Sequence, residues 1–366
     1  MEFLPKALGT RPRLACEVRA EGVVAARAED AAGVLTAVSR ANLAEDTIVP
    51  GLKPGNIVDR AGLVSALRSV LDEVVGKGSE RMRDVTVIVP DASTRVLLLE
   101  FDELPGKAVE ALSVIRFRLK KLLPFDADDA VVSYQVMSSA KGLVKVLAVA
   151  MPREVLAEYE DAVTAAGYLP GAVLPSTLAA LAALDVVETA TLVVNAGEHS
   201  VTTAIVRDGV LLLHRSVDMS VDRAAEAPVR LPLVDRESSA QEWAQQEPVG
   251  LEPVGLDRMD AEAAMQATVV EDAAARELGA DAVASEVAQA VSVAAAYFED
   301  TLLVTPETML AAGTMGVEHL EQMLMESGLQ GLRVRELMET GMMQAGAVTA
   351  MVPRGWLAGV RGALTS

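Results

Sequence analysis

The order of hydrophobic and polar positions predicts strands that alternate with helices along most of the chain. Short apolar runs that end at turn residues, such as Val85–Val89 before Pro90, are typical of buried strands. Apolar residues recur at helical spacing from Asp59 to Val75 and from Gly106 to Leu123, which predicts two amphipathic helices. Asp59 is placed to cap the first of them. This alternation is typical of an α/β fold.

Turn residues between the other apolar runs predict the remaining elements. The expected strands are a hairpin within Leu14–Ala28 that turns at Glu21-Gly22, Val96–Phe101, Val131–Met137, Val144–Met151, Thr191–Val194, Val201–Val206, Val210–His214, Met309–Ala312 and Leu332–Arg335. The expected helices are Pro152–Ala166, Ser176–Leu184, residues 260–300, Glu318–Ser327 and a closing helix within Thr340–Ala350.

The stretch 222–258 interrupts this order. It is rich in Pro, Glu and Gln and contains a direct repeat, Glu-Pro-Val-Gly-Leu, that starts at Glu247 and again at Glu252. Such a composition predicts an insertion of low order. Residues 222–300 hold 17 acidic and 5 basic residues, so they carry more than half of the formal net charge of -20.

Composition narrows the class of protein. With 51% hydrophobic residues the chain can build real cores, and with 32 basic against 52 acidic residues it is a poor general binder of nucleic acid. A single cysteine, Cys16, excludes an intramolecular disulfide, and three histidines argue against a multi-histidine metal site. Since no apolar run is long enough to span a bilayer, we expect at most a peripheral place at a membrane.

One helix carries the opposite charge from the rest of the chain. Residues 107–121 contain five basic residues and one acidic residue, and Arg116 and Lys120 share a helical face. The cluster predicts either an ordinary solvated face or contact with anionic lipid or an acidic partner.

Several segments, in this order and spacing, resemble the PilM-type proteins, the actin-like cytoplasmic proteins of type IV pilus assembly. Phe117–Val136 (FRLKKLLPFDADDAVVSYQV) is similar to that family's helix, proline–phenylalanine corner, acidic step and following strand. Leu192–Leu211 (LVVNAGEHSVTTAIVRDGVL) and Gly51–Val75 resemble two further segments. The resemblance covers about residues 14–220 and 280–350 and fails between 222 and 258.

The resemblance implies a fold and domain boundaries. The expected fold is α/β, a two-lobed actin-like (ribonuclease H-like) fold with an inserted α+β subdomain. The first lobe would comprise residues 14–84 and 171–190, the inserted subdomain residues 85–170, and the second lobe residues 191–366.

The resemblance also implies a cleft for ATP with Mg²⁺, gripped by two glycine-containing hairpins and an adenosine turn. The matching positions are Glu17, Gly197, Glu198, Thr202 and Gly313.

The sequence departs from the family pattern at all three places. Arg19 stands where a hairpin glycine is expected, Asn195 where an aspartate is usual, and Thr314 where a second glycine is common. These departures leave ATP binding open and favour a degenerate site, and no catalytic residue is assigned.

The function that the resemblance implies is a scaffold. It would bind the N-terminal tail of a PilN-like inner-membrane protein at the cytoplasmic face of the inner membrane and link it to the pilus assembly motor that drives twitching motility. The expected groove lies around Val85–Val89 and Ala108–Phe125, and the expected contacts are Arg116, Lys120, Leu123 and Phe125. Two alternatives remain: an active ATP-hydrolysing enzyme of the same fold, and a cytoplasmic component of a type II secretion system.

Overall fold

The computed structural model describes residues 12–30, 32–76, 83–140, 142–184, 188–219, 282–329, 331–339, 341, 343 and 352–365. The contacts divide the chain into one unit of Met1–Met219 with Ala284–Ser366 and a second of Ser220–Val283. The predicted insertion 222–258, residues 260–281 of the predicted helix 260–300 and most of the predicted closing helix Thr340–Ala350 lie outside the described residues.

Strands and helices alternate along the described chain. The strands are β1 (Leu14–Arg19), β2 (Gly22–Ala28), β3 (Leu35–Asn42), β4 (Asp84–Val89), β5 (Arg95–Phe101), β6 (Ala130–Ala140), β7 (Leu143–Pro152), β8 (Leu169–Pro175), β9 (Thr191–Ala196), β10 (Ser200–Arg207), β11 (Val210–Asp218), β12 (Thr308–Gly313) and β13 (Arg333–Glu336). The helices are α1 (Arg60–Val75), α2 (Ala108–Leu119), α3 (Arg153–Ala165), α4 (Ser176–Leu181), α5 (residues 282–302), α6 (Val317–Glu326) and α7 (Arg354–Leu364). A short 3₁₀ turn, Asp91–Ser93, follows β4.

Two five-stranded sheets share one pattern of strand pairing. In the first, β3-β2-β1-β4-β8, the antiparallel β1–β2–β3 meander is extended by parallel pairing of β1 with β4 and of β4 with β8. In the second, β11-β10-β9-β12-β13, the antiparallel β9–β10–β11 meander is extended by parallel β12 and β13. We call these sheets, with the helices packed on them, the first and second lobes. In each lobe the first hairpin turn, between β1 and β2 or between β9 and β10, lies at the carboxyl end of the parallel strands.

A third sheet, β5-β7-β6, is antiparallel and carries α2 on one face. Ile115 and Leu119 of α2 pack with Val146 and Ala148 of β7 in a small core of their own. Leu147 of β7 points the other way and joins the core of the lobes, because successive strand residues face opposite sides of a sheet.

The closing helix α7 packs against both lobes, in contact with α4, β1, β2 and β12. The glycines Gly355, Gly359 and Gly362 allow α7 to pack this closely. A Cβ on Gly355 would lie 2.5 Å from the Gly313 carbonyl oxygen, and one on Gly362 would lie 1.8 Å from that of Ala179. The sequence did not predict α7, because glycine lowers helix propensity.

Most of the predicted elements are confirmed. Asp59 caps α1 by accepting the Gly62 N–H at 2.9 Å from its Oδ1. Strands β3 and β8 were missed. Pro170 and Gly171 argue against a strand at β8, and the edge of the sheet is the place where a strand tolerates them.

Candidate functional site

Three turns meet where the two lobes face each other, and one carboxylate joins them. Glu21 lies in the turn between β1 and β2. Its Oε1 accepts the backbone N–H of Glu198, in the β9–β10 turn, at 2.8 Å. The same oxygen accepts the Thr314 hydroxyl, in the turn after β12, at 3.0 Å. The first lobe is therefore hydrogen-bonded to two turns of the second.

Glycines at two of these turns allow the close approach. A Cβ on Gly197 would lie 2.7 Å from Glu21 Oε1, so a side chain at this position would displace the carboxylate. Gly313 has a φ of 101°, and its Cβ would lie 2.1 Å from the Ala196 carbonyl oxygen. Both glycines are needed for the turns to pack as they do.

A buried ion pair lies below the Glu21 contact. Arg19 Nη2 lies 2.5 Å from Glu17 Oε1, and both side chains are at least nine-tenths buried. The same Nη2 donates to Ser176 Oγ at 2.9 Å and to Asn195 Oδ1 at 3.3 Å. Arg19 thus fills the space beside its own hairpin and reaches across to the second lobe.

Polar side chains continue this network to Asp91. Asn195 Nδ2 donates to Ser176 Oγ at 2.9 Å and to Thr177 Oγ1 at 3.0 Å. Thr177 Oγ1 in turn donates to Asp91 Oδ2 at 2.5 Å, and its backbone N–H donates to Asp91 Oδ1 at 3.0 Å. Asn195, which stands where the family has an aspartate, therefore uses both amide hydrogens within the protein.

Burial shifts the ionisation of two groups near this network. Desolvation raises the pKa of Glu17, while the Arg19 charge and the Ser176 hydrogen bond, 2.6 Å from Oγ to Oε1, act in the opposite direction. Desolvation lowers the pKa of His214 on β11, and the negative charge of Asp91 partly offsets this shift.

The space left between the lobes is small. The cavity lined by Arg19, Glu21, Pro90, Asn195 and His199, among others, measures about 30 Å³. That is room for one water molecule. A triphosphate does not fit between these side chains as they stand. Glu17, one of two acidic residues that the resemblance places near a nucleotide, is fully buried and ion-paired.

The predicted nucleotide residues are only partly brought together. Gly197 and Gly313 lie in the turns beside Glu21, and the backbone of Glu198 takes part there while its side chain is exposed. Thr202 does not take part in these contacts. Its Oγ1 donates a hydrogen bond to Ser216 Oγ on β11 at 3.0 Å. Sequence reasoning missed Glu21, although its place in the first hairpin turn was the available signal.

The four predicted partner contacts lie at the corner between α2 and β6. Arg116 donates to the carbonyl oxygens of Ala127 and Ala130 at 2.8 and 3.1 Å. Lys120 Nζ lies 2.6 Å from Asp128 Oδ2. Leu123 and Phe125 are half-buried against the α2 core. All four therefore have contacts within the chain that hold this corner together.

The other part of the predicted groove, Val85–Val89, requires a correction. This segment is strand β4, and its five residues are buried. Both of its edges are already paired, with β1 on one side and β8 on the other. A peptide cannot add to this strand as a further strand, because a neighbouring strand already occupies each of its edges.

The outer face of α2 is exposed and partly apolar. Val109 and Phe117 are 79% and 69% exposed, and Val114 and Leu122 are also exposed. Arg118 is exposed on the same helix, and Lys121 is exposed in the turn that follows it, with Lys121 Nζ 6.0 Å from the centre of the Phe117 ring. We call Val109, Val114, Phe117, Arg118 and Lys121 the α2 face.

Comparison with known proteins gives a structural match only. No protein-family model and no curated protein matches the sequence. A solved structure described as the PilM-PilN type IV pilus biogenesis complex matches with a TM-score of 0.67 and 17% identity, over 96% of this chain and 98% of the other.

Two further matches are weaker. The ethanolamine utilization protein EutJ from Carboxydothermus hydrogenoformans matches with a TM-score of 0.43 and 12% identity, over 96% and 89% of the two chains. The cytoplasmic domain of EpsL, from the type II secretion system of Vibrio cholerae, matches with a TM-score of 0.36 and 15% identity, over 56% and 71%.

The first match and the paired sheets show the fold of the chain. The chain has a two-lobed actin-like α/β fold, and its fold is that of a PilM-type protein. Within the described residues, none of the helices combines the length and the apolar character that crossing a bilayer requires.

Proposed function

We propose that this protein is a scaffold of type IV pilus assembly that binds the tail of a PilN-like inner-membrane protein. The observation that carries the proposal is the fold, which matches that of a PilM-PilN complex over nearly the whole of both chains. In this role the protein works at the cytoplasmic face of the inner membrane and connects its partner to the assembly motor. Binding a peptide tail requires no catalytic residue.

The α2 face is the surface that we assign to the tail. Its exposed apolar residues, Val109 and Phe117, offer contact area that a folded chain normally buries. Arg118 and Lys121 give this surface a positive charge in a chain whose net charge is -20. The occupant with the complementary chemistry is a segment of the partner that carries apolar and acidic side chains.

Binding between the full chain and a synthetic peptide of the partner's cytoplasmic tail tests the proposal. The peptide is the cytoplasmic N-terminal tail of a PilN-like membrane protein from the same organism. We expect a saturable complex by calorimetry, with affinity lost at least tenfold in Phe117→Ser, since an aromatic anchor typically contributes about 1–3 kcal/mol or more to a small interface.

The matched control is Met325→Ser. Met325 is also an exposed apolar residue on a helix, 63% exposed on α6 in the second lobe. We expect this variant to bind as the wild type does. Equal loss in both variants would remove the α2 face from the proposal, and no binding by the wild type would contradict the scaffold function itself.

A further inference from the structure

We propose that the Glu21 carboxylate replaces a ligand anion between the lobes, so that the protein is held closed without a nucleotide. The three turns that the resemblance associates with ATP are the three that Glu21 joins, through the Glu198 N–H and the Thr314 hydroxyl. The residues at these three turns do not leave room for ATP, and they form hydrogen bonds and an ion pair with one another instead.

The donors around Glu21 are suited to an anion. A backbone N–H in a tight glycine turn and a nearby hydroxyl form the kind of concave donor group that binds phosphate oxygens. Here both donors, on the second lobe, point at one carboxylate oxygen of the first lobe, at 2.8 and 3.0 Å. Because Gly197 has no side chain, the carboxylate can come within this distance.

Arg19 occupies the space on the buried side of the β1–β2 turn, where a bound anion would otherwise lie. In a phosphate-binding hairpin a glycine leaves room for the ligand, whereas Arg19 occupies that room and places a positive charge there. The charge is neutralised by Glu17 at 2.5 Å, and the guanidinium also bonds Ser176 and Asn195. The cavity that remains beside these side chains measures only about 30 Å³, which is on the scale of a water molecule.

The residues that differ from the family pattern therefore form hydrogen bonds within this one site. Thr314 stands where a second glycine is common, and its hydroxyl donates to Glu21. Asn195 stands where an aspartate is usual, and its amide oxygen accepts from Arg19. With an aspartate at this position and glycines at the other two, none of these side-chain bonds could form in this way.

Thermal unfolding of the full chain tests the first consequence. A ligand that binds only the folded state raises the melting temperature, and about 5 mM Mg-ATP would do so for any site with micromolar affinity. We expect a shift below about 1 °C, within the spread that added salt produces. A saturable rise of about 3 °C or more would overturn the proposal.

Hydrogen exchange of the Glu198 amide tests the second consequence. In the wild type we expect this N–H to be protected, and in Glu21→Ala to exchange at least about tenfold faster in a peptide that covers residues 193–200. The matched control is Glu198→Ala, which removes an exposed side chain but keeps the N–H, and protection should remain. An unchanged rate in Glu21→Ala would overturn the proposal.

The variant Glu21→Gln provides the same hydrogen-exchange test if Glu21→Ala does not fold. Glutamine retains an oxygen that can accept from Glu198 and Thr314 but loses the negative charge, so its hydrogen bonds are weaker. We expect exchange of the Glu198 amide at a rate clearly above that of the wild type. A wild-type rate in Glu21→Gln would show that no anion is needed between the lobes.

Discussion

The backbone of Gly359 lies directly against the carboxylate of Glu17. A Cβ built on Gly359 would lie 2.3 Å from Glu17 Oε2, closer than two such atoms can approach. That oxygen is buried and has no hydrogen-bond partner among the described residues. The closing helix α7 thus rests on the ion pair of the first lobe, and the fit depends on the absence of a side chain.

We expect Gly359→Ala to destabilise the protein. The added methyl group must displace α7 or the buried carboxylate, and such overpacking costs about 1–3 kcal/mol. Alanine's higher helix propensity returns about 1 kcal/mol, which does not offset a large displacement. The free energy of unfolding in urea measures the effect. The control is Gly106→Ala, because nothing lies within 4 Å of a Cβ there. Equal stability of Gly359→Ala and the wild type would contradict the close contact.

The Glu17–Arg19 pair should be coupled more strongly than a surface pair. Glu17→Gln leaves the Arg19 guanidinium buried without its counter-charge, and we expect a loss of about 3 kcal/mol in the free energy of unfolding. Glu110→Gln is the matched control, because Glu110 pairs with Lys107 at 3.0 Å where both side chains are more than half exposed. That substitution should cost under about 1 kcal/mol. Similar losses in both variants would contradict a buried pair.

Stability should fall in mild acid in part because of His214. Its Nε2 is buried without a partner among the described residues, and burial lowers its pKa below the ordinary 6.5. The unfolded chain therefore binds the proton more readily than the folded one. The contribution of His214 is present above about pH 6.5 and is lost as pH falls toward the folded pKa, by at most about 1.4 kcal/mol per pH unit.

Denaturant unfolding at several pH values compares the wild type with His214→Leu. We expect a shallower decline of stability below about pH 6.5 in the variant, because it lacks the titrating group. Glu17 affects stability in the opposite direction. Because its pKa is raised in the folded protein, its contribution to the free energy of unfolding is lost as pH rises above the pKa that it has in the unfolded chain. Both proteins contain Glu17, so the comparison isolates His214. Parallel pH profiles would contradict the prediction.

The single cysteine should report on opening of the first lobe. Cys16 lies on β1 and is fully buried, and desolvation, aided by the Glu17 charge, raises the pKa of its thiol to about 12. We expect a disulfide reagent to label it only at the rate of unfolding. Introducing an exposed thiol by Ser113→Cys on α2 gives the control, which should react at once. Rapid labelling of Cys16 in native buffer would contradict the burial of β1 in the folded protein.

Local sequence signals predicted most of the elements correctly. The Arg207-Asp208-Gly209 turn was expected to join two strands, and it does, with positive φ values at Asp208 and Gly209. The actin-like class followed from the order of such elements, and the fold match confirms it. Helix α7 could not be found this way, because its glycines serve contacts with Gly313, Glu17 and Ala179 that only the folded chain makes.

The sequence by itself determined most of the strands, helices and turns, since each of these depends on neighbours a few residues away. It also showed that Arg19, Asn195 and Thr314 depart from a nucleotide-binding pattern. Only the tertiary structure decided what these residues do instead. Glu21 meets Glu198 across 177 residues and Thr314 across 293. Such contacts depend on how two sheets face each other, which no local pattern encodes.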